Sequence, residues 1–472
     1  MSISFVIFLM VLGAIFFYKL QDKSEPYTQI DWFTFAVLFI SICFYREYVL
    51  DYLIGSKLLL ADVLLAIVLI VIFWRLKKHN IMKVSLFIPL TMLFIFFLLS
   101  AAVCKNTIGG SEGLLTFLRF KIYHYVFFLF FAGFEPSRKN LLLFIKILLC
   151  CCLVLVIYAN LGPFFIKDSE GMGILNDSAS GGINRFGAYI LVPIACLMPC
   201  LYYLIKQPFI KQYQQYILLI LIVGFLSILL SFSKSTIGSL LLTWFIFIFV
   251  AKRMGKPVNI LKQFNISSIL GIGFILIIFS LITSELLGSE SFFSLMSERV
   301  DSGIKEFGLH GDEEMGWRGF EVVVGFSGLQ SYPWFGKGYD YDLWKNVGAL
   351  VSLQSGYNPK DGMNEVVHTG TAIWMWQGGI IGILLFLNIL RQLLKKAGQI
   401  SKIRKISFFD VGLVTFAFSW IFSMLFLNDF NQTSGSIYFG FMFGFASFVL
   451  SYMYNNNEPL LQNSTQMGMK IT

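Results

Sequence analysis

Leu141–Leu161 reads LLLFIKILLCCCLVLVIYANL, twenty-one residues carrying one charge, Lys146. Coiled as an α-helix, about 20 such residues cover the roughly 30 Å hydrocarbon thickness of a bilayer. A barrel strand would be about half as long and would alternate apolar with polar residues, which this stretch does not. The same reading extends over the rest of the chain. Twelve further runs have this character: Ile3–Tyr18, Ile30–Tyr45, Leu58–Trp74, Val84–Val103, Leu115–Phe134, Phe186–Ile205, Gln215–Phe232, Thr236–Ala251, Ile266–Leu287, Thr371–Leu390, Phe409–Leu427 and Gly435–Tyr454. The expectation is an all-α polytopic membrane protein of about 13 transmembrane helices, or twelve to fourteen if one of the first three runs is read otherwise.

Composition agrees. Of 472 residues, 57% are apolar and 13% charged, with 52 Phe, against about 45–50% and about 25% in soluble domains. A soluble fold of this size would lack the polar residues to cover its surface. The same numbers exclude disorder, collagen, coiled coil and a small disulfide scaffold. The N-terminus has no basic segment before its apolar run and no small-residue cleavage site, so it is read as the first span rather than a signal peptide. The seven cysteines, Cys43, Cys104, Cys150, Cys151, Cys152, Cys196 and Cys200, sit within or at the ends of apolar runs, with neither disulfide nor metal spacing.

Lys and Arg orient the chain. The connections after runs 1, 3, 5, 7, 9 and 11 hold 20 of the 36 basic residues, whereas the five short alternate connections hold only Arg46, Lys57, Lys105, Lys167, Arg185 and Lys234. The first set is read as cytoplasmic, which places the C-terminus inside. The net charge of +9 is this orientation signal and needs no nucleic acid. Five regions follow: N-terminal helices over 1–179, central helices over 180–287, a large outward loop over 288–367, C-terminal helices over 368–454 and a cytoplasmic tail over 455–472. The loop, between the tenth and eleventh runs, is 80 residues long with 12 acidic and 6 basic residues. A loop of that length usually has its own fold or function. Within it, Trp317–Leu329 has apolar residues at helical spacing. The loop's aromatics, among them Trp317, Tyr332, Trp334 and Trp344, suit sugar rings or an interfacial belt. No internal repeat is visible, which sets the chain apart from transporters built of inverted halves.

Outward basic residues run against the topology rule, so each is informative. Arg185, Lys234 and Arg318 all fall near the outward face, as does His368 where the loop re-enters the membrane. Converging cations there suit a polyanionic head such as a lipid diphosphate, gripped by the Arg fork and the Lys point charge; pairing with phospholipid headgroups or loop carboxylates is the alternative. His368 is the candidate for proton transfer from a sugar hydroxyl. Of the other histidines, His79 is read as solvated, His310 as part of an acidic patch, and His124 as lying inside a span. Arg119 and Lys121, nearer the outer end of that span, are read as snorkelling outward, with Arg119 alternatively lining the site. On a helical wheel Ala372, Met375, Gly379 and Gly382 share the stripe of His368, and the glycines there would admit a neighbouring helix closely. Gln377 points away from His368 and is assigned no chemistry. Soluble-enzyme signatures, such as a phosphate-binding Gly-rich loop, a nucleophile elbow or HExxH, are missing.

The run His368-Thr-Gly-Thr-Ala-Ile-Trp-Met-Trp-Gln-Gly-Gly379-Ile-Ile-Gly382, with Trp317-Arg318, Tyr332-Pro-Trp-Phe-Gly-Lys-Gly338-Tyr and Ser231-Phe-Ser-Lys234-Ser upstream, resembles the bacterial O-antigen ligase and O-antigen polymerase superfamily over roughly residues 180–450. The resemblance implies a metal-independent inner-membrane glycosyltransferase without nucleotide or other cofactor, its large loop periplasmic. The donor would be a glycan on undecaprenyl diphosphate. The acceptor would be a second lipid-linked glycan in a polymerase, or lipid A core in a ligase. A chain-length regulator protein is a further partner of such a polymerase. By that resemblance His368 activates the acceptor, while Arg318, Lys234 and Arg185, with Arg119 as a further lining residue, hold the diphosphate. Three positions depart from the family pattern: Lys234 replaces an Arg, Thr369 an Asn, and Gln377 an acidic residue. The departures around His368 favour the polymerase over the ligase; a lipid-linked oligosaccharide flippase is the reading from a different class.

Overall fold

The computed structural model describes residues 3–21, 26–43, 53–54, 58–76, 84–103, 110–165, 191–207, 213–230, 234–258, 297, 325–326, 329–330, 332–336, 370–403, 405–426 and 433–455. Most of them fall in twelve helices: α1 Ile3–Lys19, α2 Gln29–Cys43, α3 Leu60–Leu76, α4 Phe87–Val103, α5 Gly110–Ala132, α6 Arg138–Phe165, α7 Val192–Leu204, α8 Gln214–Leu230, α9 Lys234–Arg253, α10 Gly370–Ile403, α11 Phe408–Phe426 and α12 Thr433–Asn455. They stand at twelve of the thirteen apolar runs; the tenth, Ile266–Leu287, lies outside the described residues. Four helical stretches, Arg138–Leu161, Thr236–Arg253, Gln377–Ile403 and Ile437–Asn455, are long and apolar enough to cross a membrane. Apolar residues exposed on the helix faces, such as Ile7, Val11 and Ile15 of α1 and Ile95 and Leu99 of α4, have water-soluble counterparts in no ordinary core and suit contact with lipid. The chain is a helical membrane protein. Before α3 a two-residue antiparallel pairing sets Leu53 opposite Leu59 and Ile54 opposite Leu58.

The centre of the bundle is α12, with 94% of its apolar window buried, and its most extensive partner is α5. Gly440 and Gly444, four residues apart, make this possible. A Cβ at Gly440 would sit 2.5 Å from the His124 carbonyl oxygen, and one at Gly444 2.8 Å from Phe131 Cβ. Without a hydrophobic driving force between helices in lipid, such close van der Waals approach is what holds them together. Phenylalanines fill the rest edge to face: Phe131 meets Phe441 at 5.5 Å and Phe445 at 6.0 Å, and Phe144 meets Phe448 at 4.8 Å. Each such aromatic pair contributes about 0.5–1.5 kcal/mol beyond its burial, which gives the abundance of Phe a structural role. Around this centre α11 packs on α7 and α9, and α1 and α2 pack on α6. The Cys150–Cys152 triplet is buried in α6 with free thiols, as small apolar side chains in the packing.

Two polar joints fix α4 and α10. Leu86 opens α4 at a positive φ of 67°; Ser85 beside it donates its amide to Ser451 Oγ, accepts at its carbonyl from Ser447, and accepts at its hydroxyl from Lys396 Nζ at 3.1 Å. These bonds join α4, α10 and α12 at one end of the bundle. The second joint is a break in α10. Gly379 has φ 56° and ψ −161°, a region essentially closed to residues with a Cβ. The amides of Ile380 and Ile381 leave the helical ladder and donate to the carbonyls of Pro333 at 2.7 Å and Trp334 at 3.3 Å. The sequence expectation of an unbroken span over Thr371–Leu390 is corrected here: the helix is longer than expected and interrupted at its glycine.

Candidate functional site

The break in α10 is where distant pieces of the sequence meet. Tyr332–Gly336 forms a turn, closed by the Gly336 amide donating to the Tyr332 carbonyl at 3.2 Å, with Gly336 at φ 68°. Its Phe335 stacks on Phe96 of α4 at 6.0 Å, and the Phe335 carbonyl accepts from Ser100 Oγ at 3.0 Å. The turn therefore sits between α4 and α10, satisfying with its own carbonyls the amides that the break sets free. A Cβ at Gly379 would lie 2.5 Å from the Gly336 nitrogen. The glycine stripe expected to admit another helix instead has two partners: Gly379 receives the backbone of this turn, and only Gly382 faces a helix, through Phe96 of α4. Of the expected helical stretch Trp317–Leu329, positions 325–326 and 329 are described and are helical.

Helix α5 supplies the ionisable groups. Arg119 and Tyr123, one turn apart, both reach Asp62 in the first turn of α3: the Tyr123 hydroxyl donates to Asp62 at 2.6 Å, and Arg119 lies 3.4 Å from the second carboxylate oxygen. The carboxylate is well placed at a helix N-terminus. Arg119 thus shares its charge with Asp62 rather than simply reaching for the surface. We expect Asp62→Ala to cost about 1.5–3 kcal/mol, the scale of a hydrogen bond to a charged group, and Tyr123→Phe less. Melting of the purified variants measures it, and an unchanged midpoint for Asp62→Ala would refute the clasp.

Lys121 lies eleven residues from each end of α5, about 16 Å at 1.5 Å per residue. Its amine stays inside the bundle rather than snorkelling outward. Its side chain is 3% exposed. The ammonium donates to Gln377 Oε1 of α10 at 3.1 Å and lies 4.4 Å from the centre of the Phe97 ring, a cation–π contact. Gln377, itself 2% exposed, is therefore a functional candidate that helical-wheel reasoning missed. The signal was available: a polar residue directly before a glycine pair, in a span where polar groups need partners. His124, one turn beyond Lys121, is buried with its ring 4.5 Å from Phe439. Its Nε2 has no hydrogen-bond partner among the described residues. Lys121 and His124 line a cavity of about 20 Å³ together with Phe94, Phe97, Tyr125 and Phe439, room for about one water. Tyr125 in its wall is hydrogen-bonded to Thr91 at 2.8 Å and stacked on Phe94 at 4.5 Å.

The structure thus brings together α4, α5, α10 and the 332–336 turn. Lys234 is the first residue of α9. His368, Arg318 and Arg185 lie outside the described residues, His368 two positions before α10 begins. Chemically, the assembled part offers a buried ammonium, an imidazole and a carboxamide, groups that orient and hold oxygen-bearing ligands. Compared with known proteins, the chain matches no family model and no curated protein.

Proposed function

We propose that this protein polymerises oligosaccharide repeat units carried on undecaprenyl diphosphate, for O-antigen or a similar surface polysaccharide. It would act at the periplasmic face of a bacterial inner membrane through about 13 spans. The supporting observation is the seating of the Tyr332–Gly336 turn on α10 at Gly379. Two sequence elements that carry the resemblance, the Pro-x-x-Gly turn and the Gly-x-x-Gly helix, are neighbours in space although 43 residues separate Gly336 from Gly379. In this reading His368 takes the proton from the acceptor hydroxyl, that oxygen attacks the anomeric carbon of the donor glycan, and the bond to the diphosphate oxygen breaks. Lys234, Arg318 and Arg185 bind the diphosphate and offset its developing charge, with Arg119 as a further candidate for that role. An aromatic turn, with Trp334 63% exposed, offers a face for a sugar ring.

Deletion of the gene followed by electrophoresis of the surface glycan tests this. Loss of the ladder with one capped unit retained is the expected result. Loss of every unit with polymer accumulating on the lipid carrier identifies a ligase instead. A second reading, a flippase for the same lipid-linked glycan, draws on the broken α10 and the mid-helix Lys121, since discontinuous helices and midplane charges mark transport pathways; it predicts repeat units retained on the cytoplasmic side. The charge at the start of α9 gives a narrower test. Lys234→Arg is expected to keep the ladder and Lys234→Ala to lose it, and equal ladders would remove the cation from the mechanism.

A further inference from the structure

We propose that Gln377 is a positioning residue for glycosyl transfer, which through its bond to Lys121 fixes the segment of α10 that follows His368; the inference rests on the polymerase reading. The break at Gly379 divides α10 into a segment over 370–378 and a longer one beyond. In an unbroken helix the longer segment would dictate the direction and rotation of the shorter through the backbone ladder. Here Ile380 and Ile381 spend their amides on the 332–336 turn, so that control is interrupted. The shorter segment needs another constraint. Lys121 supplies it, reaching from the middle of α5 to Gln377 Oε1 at 3.1 Å, with both side chains buried. The helix α5 that carries this anchor is itself locked against α12 by Gly440 and Gly444. The shorter segment is therefore referenced, through α5, to α12 at the centre of the bundle. His368, the residue assigned to accept the proton, precedes this segment by two positions in the sequence and lies outside the described residues; holding the segment is the proposed means of holding that residue.

The bond can be moved without losing either group. Full-length protein in lipid nanodiscs is assayed with a lipid-linked repeat unit as donor and acceptor, beside complementation of the deletion strain. Gln377→Met is expected to lower kcat by about 10²-fold with little change in KM, the scale of an ångström's misplacement of reacting groups. Because Gln377→Met leaves a buried ammonium without this acceptor and can unfold the protein, Lys121→Met/Gln377→Met removes both partners; it is expected to melt as the wild type does and to stay slow. The exchange Lys121→Gln/Gln377→Lys rebuilds the bond in reverse and is expected to recover most of kcat. A double-methionine variant with wild-type kcat, or an exchange no faster than Gln377→Met, would overturn the inference. Unchanged glycan on deletion of the gene would overturn the polymerase reading and this inference with it. A lost ladder on deletion, with a full ladder from Gln377→Met, would sink this inference alone.

Discussion

Gly379→Ala is expected to abolish the surface glycan ladder and to lower the melting temperature of the purified protein. Two costs add. A residue with a Cβ at φ 56° and ψ −161° costs about 1–3 kcal/mol in backbone strain alone. The new methyl would also stand 2.5 Å from the Gly336 nitrogen and 2.8 Å from the Pro333 oxygen. Both are backbone atoms of the turn that satisfies Ile380 and Ile381, so neither can step aside without losing those bonds. The outcome is an unseated turn and two amides without their acceptors in apolar surroundings, an expensive state. Gly382→Ala is the control. Its Cβ would meet only the edge of the Phe96 ring at 3.1 Å, which a small shift relieves. Wild-type melting and a full ladder from Gly379→Ala would show that the turn does not need its seat.

His368→Ala is expected to slow glycan transfer by about 10²–10⁴-fold, the usual contribution of a positioned general base, with protein level and melting unchanged. The complemented deletion strain should then carry one capped unit in place of a ladder. Retained polymer would remove the imidazole from the proton transfer and leave the acceptor hydroxyl to another base. The two variants separate cause: Gly379→Ala acts through the fold and shows in melting, whereas His368→Ala acts on the reaction and does not.

The helical membrane class was fully legible, because span length and polarity follow from bilayer thickness with little dependence on neighbours. Helices stand at twelve of the expected runs for that reason. What periodicity could not show was which faces meet. Gly379 and Gly382 were recognised as small and close-packed, but a helical wheel presumes an unbroken helix, and the φ of 56° breaks it. Gln377 was set aside by the same wheel. Its role depends on Lys121, 256 positions earlier, and no local pattern records that pairing. Lys121 illustrates the competing effect: a lysine in a span can snorkel outward or, as here, meet a partner inside. The Asp62 contact of Arg119 and Tyr123 was invisible for the same reason, being a meeting of two helices.

The seat of the turn also bears on how the protein is made. Phe96 and Ser100, which hold Phe335, leave the ribosome first; the turn follows, and the Ile380 and Ile381 amides that donate to its carbonyls come last. From Gly336 to Gly379 is 43 residues, about 2–9 s of elongation at 5–20 residues per second. During that interval the newborn turn can rest on one wall only, like a clasp waiting for its second half. A translational pause placed between these positions would prolong that half-closed stage, while one placed after Ile381 would not.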